Sequence, residues 1–136
     1  MNNNKKNVLN NPLNNLPKIP ESNWKVQTFH SGSKIVRHDD FPAHFYVYGE
    51  KKGIEEKYWT DKRNKIANEV CQYMNGDIPR PSFLNDVIFS SLGTACENKD
   101  DNGIFIYTTG PERSRYFETL EEAIEVRKIL INSLKE

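Results

Sequence analysis

Ala43-His44-Phe45-Tyr46-Val47-Tyr48 alternates side chains in the manner of a strand with two unlike faces. Phe45 and Val47 point one way, and His44, Tyr46 and Tyr48 the other. Upstream, Trp24 to Phe29 is rich in aromatic and β-branched residues. His30-Ser31-Gly32-Ser33 reads as a turn, and Lys34-Ile35-Val36-Arg37 returns as a second strand. Downstream, Glu50-Lys51-Lys52-Gly53 reads as a turn, and Ile54 to Trp59 is expected to pair back as a further strand.

The period then changes. Thr60 or Asp61 is the expected cap of a helix running to about Met74, with Ile66, Val70, Tyr73 and Met74 spaced i, i+4, i+7, i+8 on one face. Asn75-Gly76 is its expected stop. Past Pro79 and Pro81, Ser82 is the expected cap of a short helix with Phe83, Leu84, Val87, Ile88, Ser91 and Leu92 on one side, stopped by Gly93, although the run Val87-Ile88-Phe89 also suits a strand. Thr94 to Glu97, Ile104 to Thr108 and Ser114 to Phe117 read as strands separated by polar or Gly-Pro turns. Thr119-Leu120-Glu121-Glu122 is a capping box. The helix it opens continues to about Leu134, with Leu120, Ala123, Ile124, Leu130, Ile131 and Leu134 on a shared face.

Strands followed by a helix, twice over, predict an α+β fold of two small antiparallel-sheet-plus-helix units. Lys57-Tyr58-Trp59 precedes the first helix as Arg115-Tyr116-Phe117 precedes the second, which suggests a duplication. The expected divisions are an arm over 1–23, a first unit over 24–76, and a linker helix with the second unit over 77–136. The arm holds nine Asn residues together with Pro12, Pro17 and Pro20, so it is expected to be disordered.

The chain has 136 residues and no net charge. This balance excludes a histone-like polycation and a polyanionic nucleic-acid mimic. Residues 24–65 carry nine basic and six acidic residues, whereas 66–136 carry seven basic and twelve acidic, so an anionic partner would meet the first half. No apolar run is long enough for a transmembrane helix, and Met1 to Lys6 lead into no apolar signal core. Cys71 and Cys96 make no disulfide framework. A cytoplasmic protein is the expectation.

Enzymatic chemistry finds little footing. His30, His38 and His44 lie near Asp39 and Asp40, but no second cluster supplies further metal ligands. Asp40, Glu50 and Lys52 loosely match the acidic-acidic-lysine pattern of restriction-type nucleases, with two of the three in a turn rather than on strands. Cys71, beside Val70 in a helix, reads as a buried structural thiol. No catalytic residue, metal, cofactor or small-molecule substrate is expected.

Phe117-Glu118-Thr119-Leu120-Glu121-Glu122-Ala123, within Gly103 to Leu134, resembles the closing part of the plant ethylene-response-factor type DNA-binding domain. It is also similar to small domains of phage integrases and homing endonucleases. In that family a three-stranded sheet packs on one helix; an aromatic ends the last strand, a Thr caps, and Glu-Glu-Ala opens the helix. Ser114-Arg115-Tyr116-Phe117 lacks the family's Gly, and Ile104 to Thr108 lacks its frequent Trp. The resemblance implies a non-enzymatic protein whose exposed sheet face reads double-stranded DNA, of viral or mobile-element origin. Arginines would read base edges, and Lys and Tyr would hold phosphates. The candidate contacts are Lys34, Arg37, His44, Tyr46, Tyr48, Lys51, Lys52 and Lys57 in the first unit, and Arg113, Arg115 and Tyr107 in the second. The alternative is a small protein-binding module or inhibitor that blocks a host protein such as a nuclease, anchored by the aromatic row His44, Tyr46, Tyr48 and Tyr58.

Overall fold

Antiparallel pairing organises the chain from Lys25 onward. In the computed structural model, which describes residues 18–30, 32–49, 55–90, 95–98, 104–109 and 119–135, six strands form one sheet. They are β1 (Lys25–Thr28), β2 (Lys34–Arg37), β3 (His44–Gly49), β4 (Val87–Phe89), β5 (Ala95–Asn98) and β6 (Ile104–Thr109). Helix α1 (Glu56–Met74) follows β3, a 3-10 helix (Ser82–Asp86) precedes β4, and helix α2 (Leu120–Asn132) follows β6.

The spatial order is β1-β2-β3-β6-β5-β4. Two three-strand-plus-helix units give this order when their third strands pair antiparallel, here from His44↔Thr109 to Gly49↔Ile104. The α+β class and the two sheet-plus-helix units are therefore as expected, merged into one sheet. The merger is physically favourable because each unit alone would expose its third strand as an unpaired edge. Among the described strands only β1 and β4 remain edges.

Register decides which face is covered. Val36 pairs with Phe45, and Val47 with Ile106. All four are buried in one hydrophobic cluster with Ile66, Ala67, Val70 and Met74 of α1 and Val126, Leu130 and Ile131 of α2. Both helices thus cover the same side, and the core is continuous across the two units. Ala123 is buried at the start of α2, where its small side chain permits close packing. Thr119 caps α2 as expected: Glu122 N–H donates to Thr119 Oγ1 at 3.2 Å.

Several expectations need correction. The helix expected from Ser82 to Gly93 is a 3-10 helix that ends at Asp86, and the β-branched run Val87–Phe89 is strand β4, paired with β5. Ile54 lies outside the described residues, and residues 55–59 of the expected strand Ile54 to Trp59 are not a strand, because α1 already begins at Glu56 with Glu55 at its N-cap position, and Thr60 and Asp61 lie inside the helix. The reason is tertiary: Trp59 and Arg63 extend the buried stripe of Ile66, Ala67, Val70 and Met74 toward the amino terminus at helical spacing. Arg63 Nε donates to Gly32 O at 3.2 Å, and its Nη2 pairs with Glu56, so a charged residue occupies an inward position. The parallel between Lys57-Tyr58-Trp59 and Arg115-Tyr116-Phe117 as strand ends therefore fails at its first member, and the second lies outside the described residues. Leu120 is 49% exposed, and Val126 takes the inward place. The expected arm also ends earlier than residue 23. Ile19 packs against the core, and Trp24 Nε1 donates to Pro20 O at 2.8 Å. The rest of the arm, residues 1–17, lies outside the described residues, as does the expected strand Ser114 to Phe117.

The end of α1 is as expected. Gly76 takes a left-handed φ of 76°, Gly76 N–H reaches Tyr73 O, and Asp77 N–H reaches Gln72 O. These are the two bonds of a Schellman motif, which needs glycine's freedom at that position.

Candidate functional site

The sheet face away from the helices is set by strand alternation. Val36 faces the core, so Ile35 and Arg37 face outward on β2; Phe45 and Val47 face the core, so His44, Tyr46 and Tyr48 face outward on β3. Ile35 pairs with both Gln27 of β1 and Tyr46 of β3. Although neither α1 nor α2 lies on this face, Ile35 is only 5% exposed. Tyr46 Oη donates to Ser33 Oγ at 2.9 Å, and the Phe29 ring lies 6.3 Å from the Tyr46 ring. Phe29, Ile35, Ser33 and Tyr46 thus form a tied aromatic and apolar centre, with Phe29 exposed. Across the middle of the sheet the backbone register sets Tyr46 opposite Tyr107 and Tyr48 opposite Phe105.

Among the described residues, charge on this face is partly compensated, two cations sharing one carboxylate. Arg37 Nη1 and Lys25 Nζ each donate to Asp39, both at 2.9 Å. The Lys25 hydrogen bond, its charge and Arg37 together hold the Asp39 carboxyl below its ordinary value. His44 is held below its ordinary value as well, first by burial and then by the neighbouring Arg37 charge. A neutral imidazole at neutral pH can donate one hydrogen bond and accept another.

Of the residues expected to bind, Arg37, His44, Tyr46 and Tyr48 share this face. Lys34 does not. It pairs with Val47 on the helix side, is 7% exposed, and donates through Nζ to Thr28 Oγ1 at 2.7 Å. The correction follows from parity, since Lys34 and Arg37 are three residues apart in one strand and must face opposite ways. Lys57 is also misplaced, because it sits in the first turn of α1 and pairs with Asp61 at 3.1 Å. Tyr58 belongs to that helix too, with Lys62 over its ring, and cannot extend the aromatic row of the sheet. Lys51, Lys52, Arg113 and Arg115 lie outside the described residues. Phe29, Ile35 and Ser33 escaped sequence reasoning, although their i, i+2 spacing with Gln27 and Arg37 marks them as same-face positions.

Other chemistry is accounted for by structure. His38 Nδ1 accepts the Asp40 N–H at 2.9 Å, and its ring stacks edge-on against Trp24 at 5.4 Å. Among the described residues no three His, Cys, Asp or Glu side chains gather as metal ligands. Cys71 Sγ donates to Trp24 O at 3.2 Å, and burial, followed by the Asp77 charge, pushes the thiol up, away from the reactive thiolate. No described helix is long and apolar enough to cross a membrane.

No family model, no curated protein and no solved structure matches the chain.

Proposed function

We propose that the chain is a non-enzymatic binding module that holds a protein partner against the outer face of its sheet, with Tyr46 as the central anchor. The observation that carries this reading is the division of roles on that face. Among the described residues, its cations Lys25 and Arg37 share the single carboxylate of Asp39, and Lys34 points to the helix side, whereas Phe29, Ile35 and Tyr46 are contiguous. Protein interfaces favour an aromatic centre with a polar rim, while duplex binding depends on free positive charge.

The test places a photo-crosslinking amino acid at Gln27, on this face, or at Asn68, on the exposed side of α1. A crosslinked protein is expected from Gln27 only, and Tyr46→Ala should abolish it. Equal labelling from both positions would overturn the reading.

Double-stranded DNA is the second reading. It is favoured by a sheet with one face free of the described helices and by a helix following the third strand of each unit, the order that the ethylene-response-factor type domain also has. Its signature would be a gel shift with generic duplex that disappears between about 50 and 200 mM salt and weakens with Arg37→Ala more than with Tyr46→Ala. That outcome would replace the protein partner with DNA.

A further inference from the structure

The edge strand β4 offers a second surface, distinct from the outer face around Tyr46. Ser90 N–H donates to Ala95 O at 3.0 Å, which marks Ser90 and Ala95 as a hydrogen-bonded pair of the β4–β5 ladder. Alternation along an antiparallel ladder then directs the N–H and C=O of Ile88 toward β5 and those of Phe89 away from it. None of the described residues takes the outward pair at Phe89.

Beside this edge lies a cleft of ≈ 410 Å³ lined by Arg80, Leu84, Asn85, Val87, Phe89 and Lys135. Leu84, Val87 and Phe89 supply apolar lining. Arg80 and Lys135 supply positive charge, and none of the described lining residues is acidic. Lys135 Nζ lies over the Phe89 ring at 5.4 Å, so the cation sits against the edge strand itself. Arg80 is fixed in place by Nε to Leu134 O at 2.7 Å and Nη1 to Asn85 Oδ1 at 2.7 Å. Ile88 points to the opposite face and is 47% exposed.

We infer that β4 accepts an extended segment of a partner protein as a seventh strand, with acidic and aliphatic side chains in alternation. The acidic positions meet Arg80 and Lys135 in the cleft, the aliphatic positions cover Ile88, and the partner backbone takes the outward groups of Phe89. Strand addition of this kind draws affinity from the backbone and selectivity from alternate side chains.

Fluorescence anisotropy of the full chain with a short labelled peptide of alternating Glu and Val tests the inference. The peptide should bind, and its Lys-Val counterpart should not. N-methylation of alternate peptide amides should weaken binding by about tenfold or more, because it removes the ladder donors. Lys135→Glu should weaken binding to a similar extent with the melting temperature retained, and Tyr46→Ala should leave it unchanged. Failure of the Glu-Val peptide to bind, equal affinity of the N-methylated peptide, or unchanged affinity in Lys135→Glu would each overturn the proposal. A chain that sediments as a dimer, and becomes a monomer on Ile88→Lys, would assign the edge to a second copy and overturn it as well.

Discussion

Asn75 holds the backbone of Trp24 with both ends of its carboxamide: Oδ1 accepts from Trp24 N–H at 2.7 Å, and Nδ2 donates to Trp24 O at 3.1 Å. A side chain here performs the pairing that a neighbouring strand would otherwise supply. It ties the residue before β1 to the C-cap of α1, 51 positions away in the chain. Cys71 adds a second bond to the same carbonyl.

Loss of that bridge should be costly. Asn75→Ala leaves the part-buried Trp24 N–H without its side-chain partner and the Trp24 C=O with Cys71 alone, and should destabilise by about 1–3 kcal/mol. Asn75→Asp keeps the acceptor and removes the donor, so it should fall between Asn75→Ala and the native protein at neutral pH. Urea denaturation with unchanged m-values checks the order, and an Asn75→Ala midpoint equal to the native one would refute it.

The two tryptophans should respond differently to phenylalanine. Trp24 Nε1 is bonded to Pro20 O, whereas Trp59 Nε1 is buried without a partner among the described residues. Both substitutions lose ring volume, but only Trp24→Phe loses a hydrogen bond and orphans a carbonyl. Trp24→Phe should therefore cost about 1 kcal/mol more than Trp59→Phe, measured by the same denaturation.

Lys34 provides a test of strand parity. Its ammonium is buried on the helix side with Thr28 as its hydrogen-bond partner. Lys34→Met keeps the length of the side chain and removes the cost of burying a charge. The melting temperature should hold or rise, and binding through the outer face should be unaffected. A large loss of partner binding with intact stability would return Lys34 to the binding surface.

His44 should make stability fall on acidification. Its folded-state value lies below the ordinary 6.5, so the unfolded chain binds the proton more readily. Stability from this group is full above about pH 6.5 and declines as pH falls from there toward the lowered folded value. His44→Gln should flatten that segment of the melting temperature against pH curve. Asp39 acts lower: its depressed carboxyl contributes above its ordinary 3.8 and loses that contribution as pH falls further. An identical pH profile in native protein and His44→Gln would rule out the assignment to His44.

Local pattern was enough for much of this architecture. The two faces of Ala43 to Tyr48, the stripe from Ile66 to Met74, the Gly76 stop and the Thr119–Glu122 cap are all set by side chains within a few residues of each other, so their signal is present in the chain itself. Parity along β2 was equally legible and already separates Lys34 from Arg37. What required the folded molecule was everything with distant causes. Residues Glu56 to Trp59 have a strand-like composition, and they are helical because Trp59 enters a core assembled from β2, β3 and both helices. The antiparallel joining of β3 to β6 brings residues about sixty positions apart into register, and no periodicity encodes that choice. The sharing of one carboxylate by Arg37 and Lys25 is likewise a product of tertiary placement, because a charge count sees their number and not their partner.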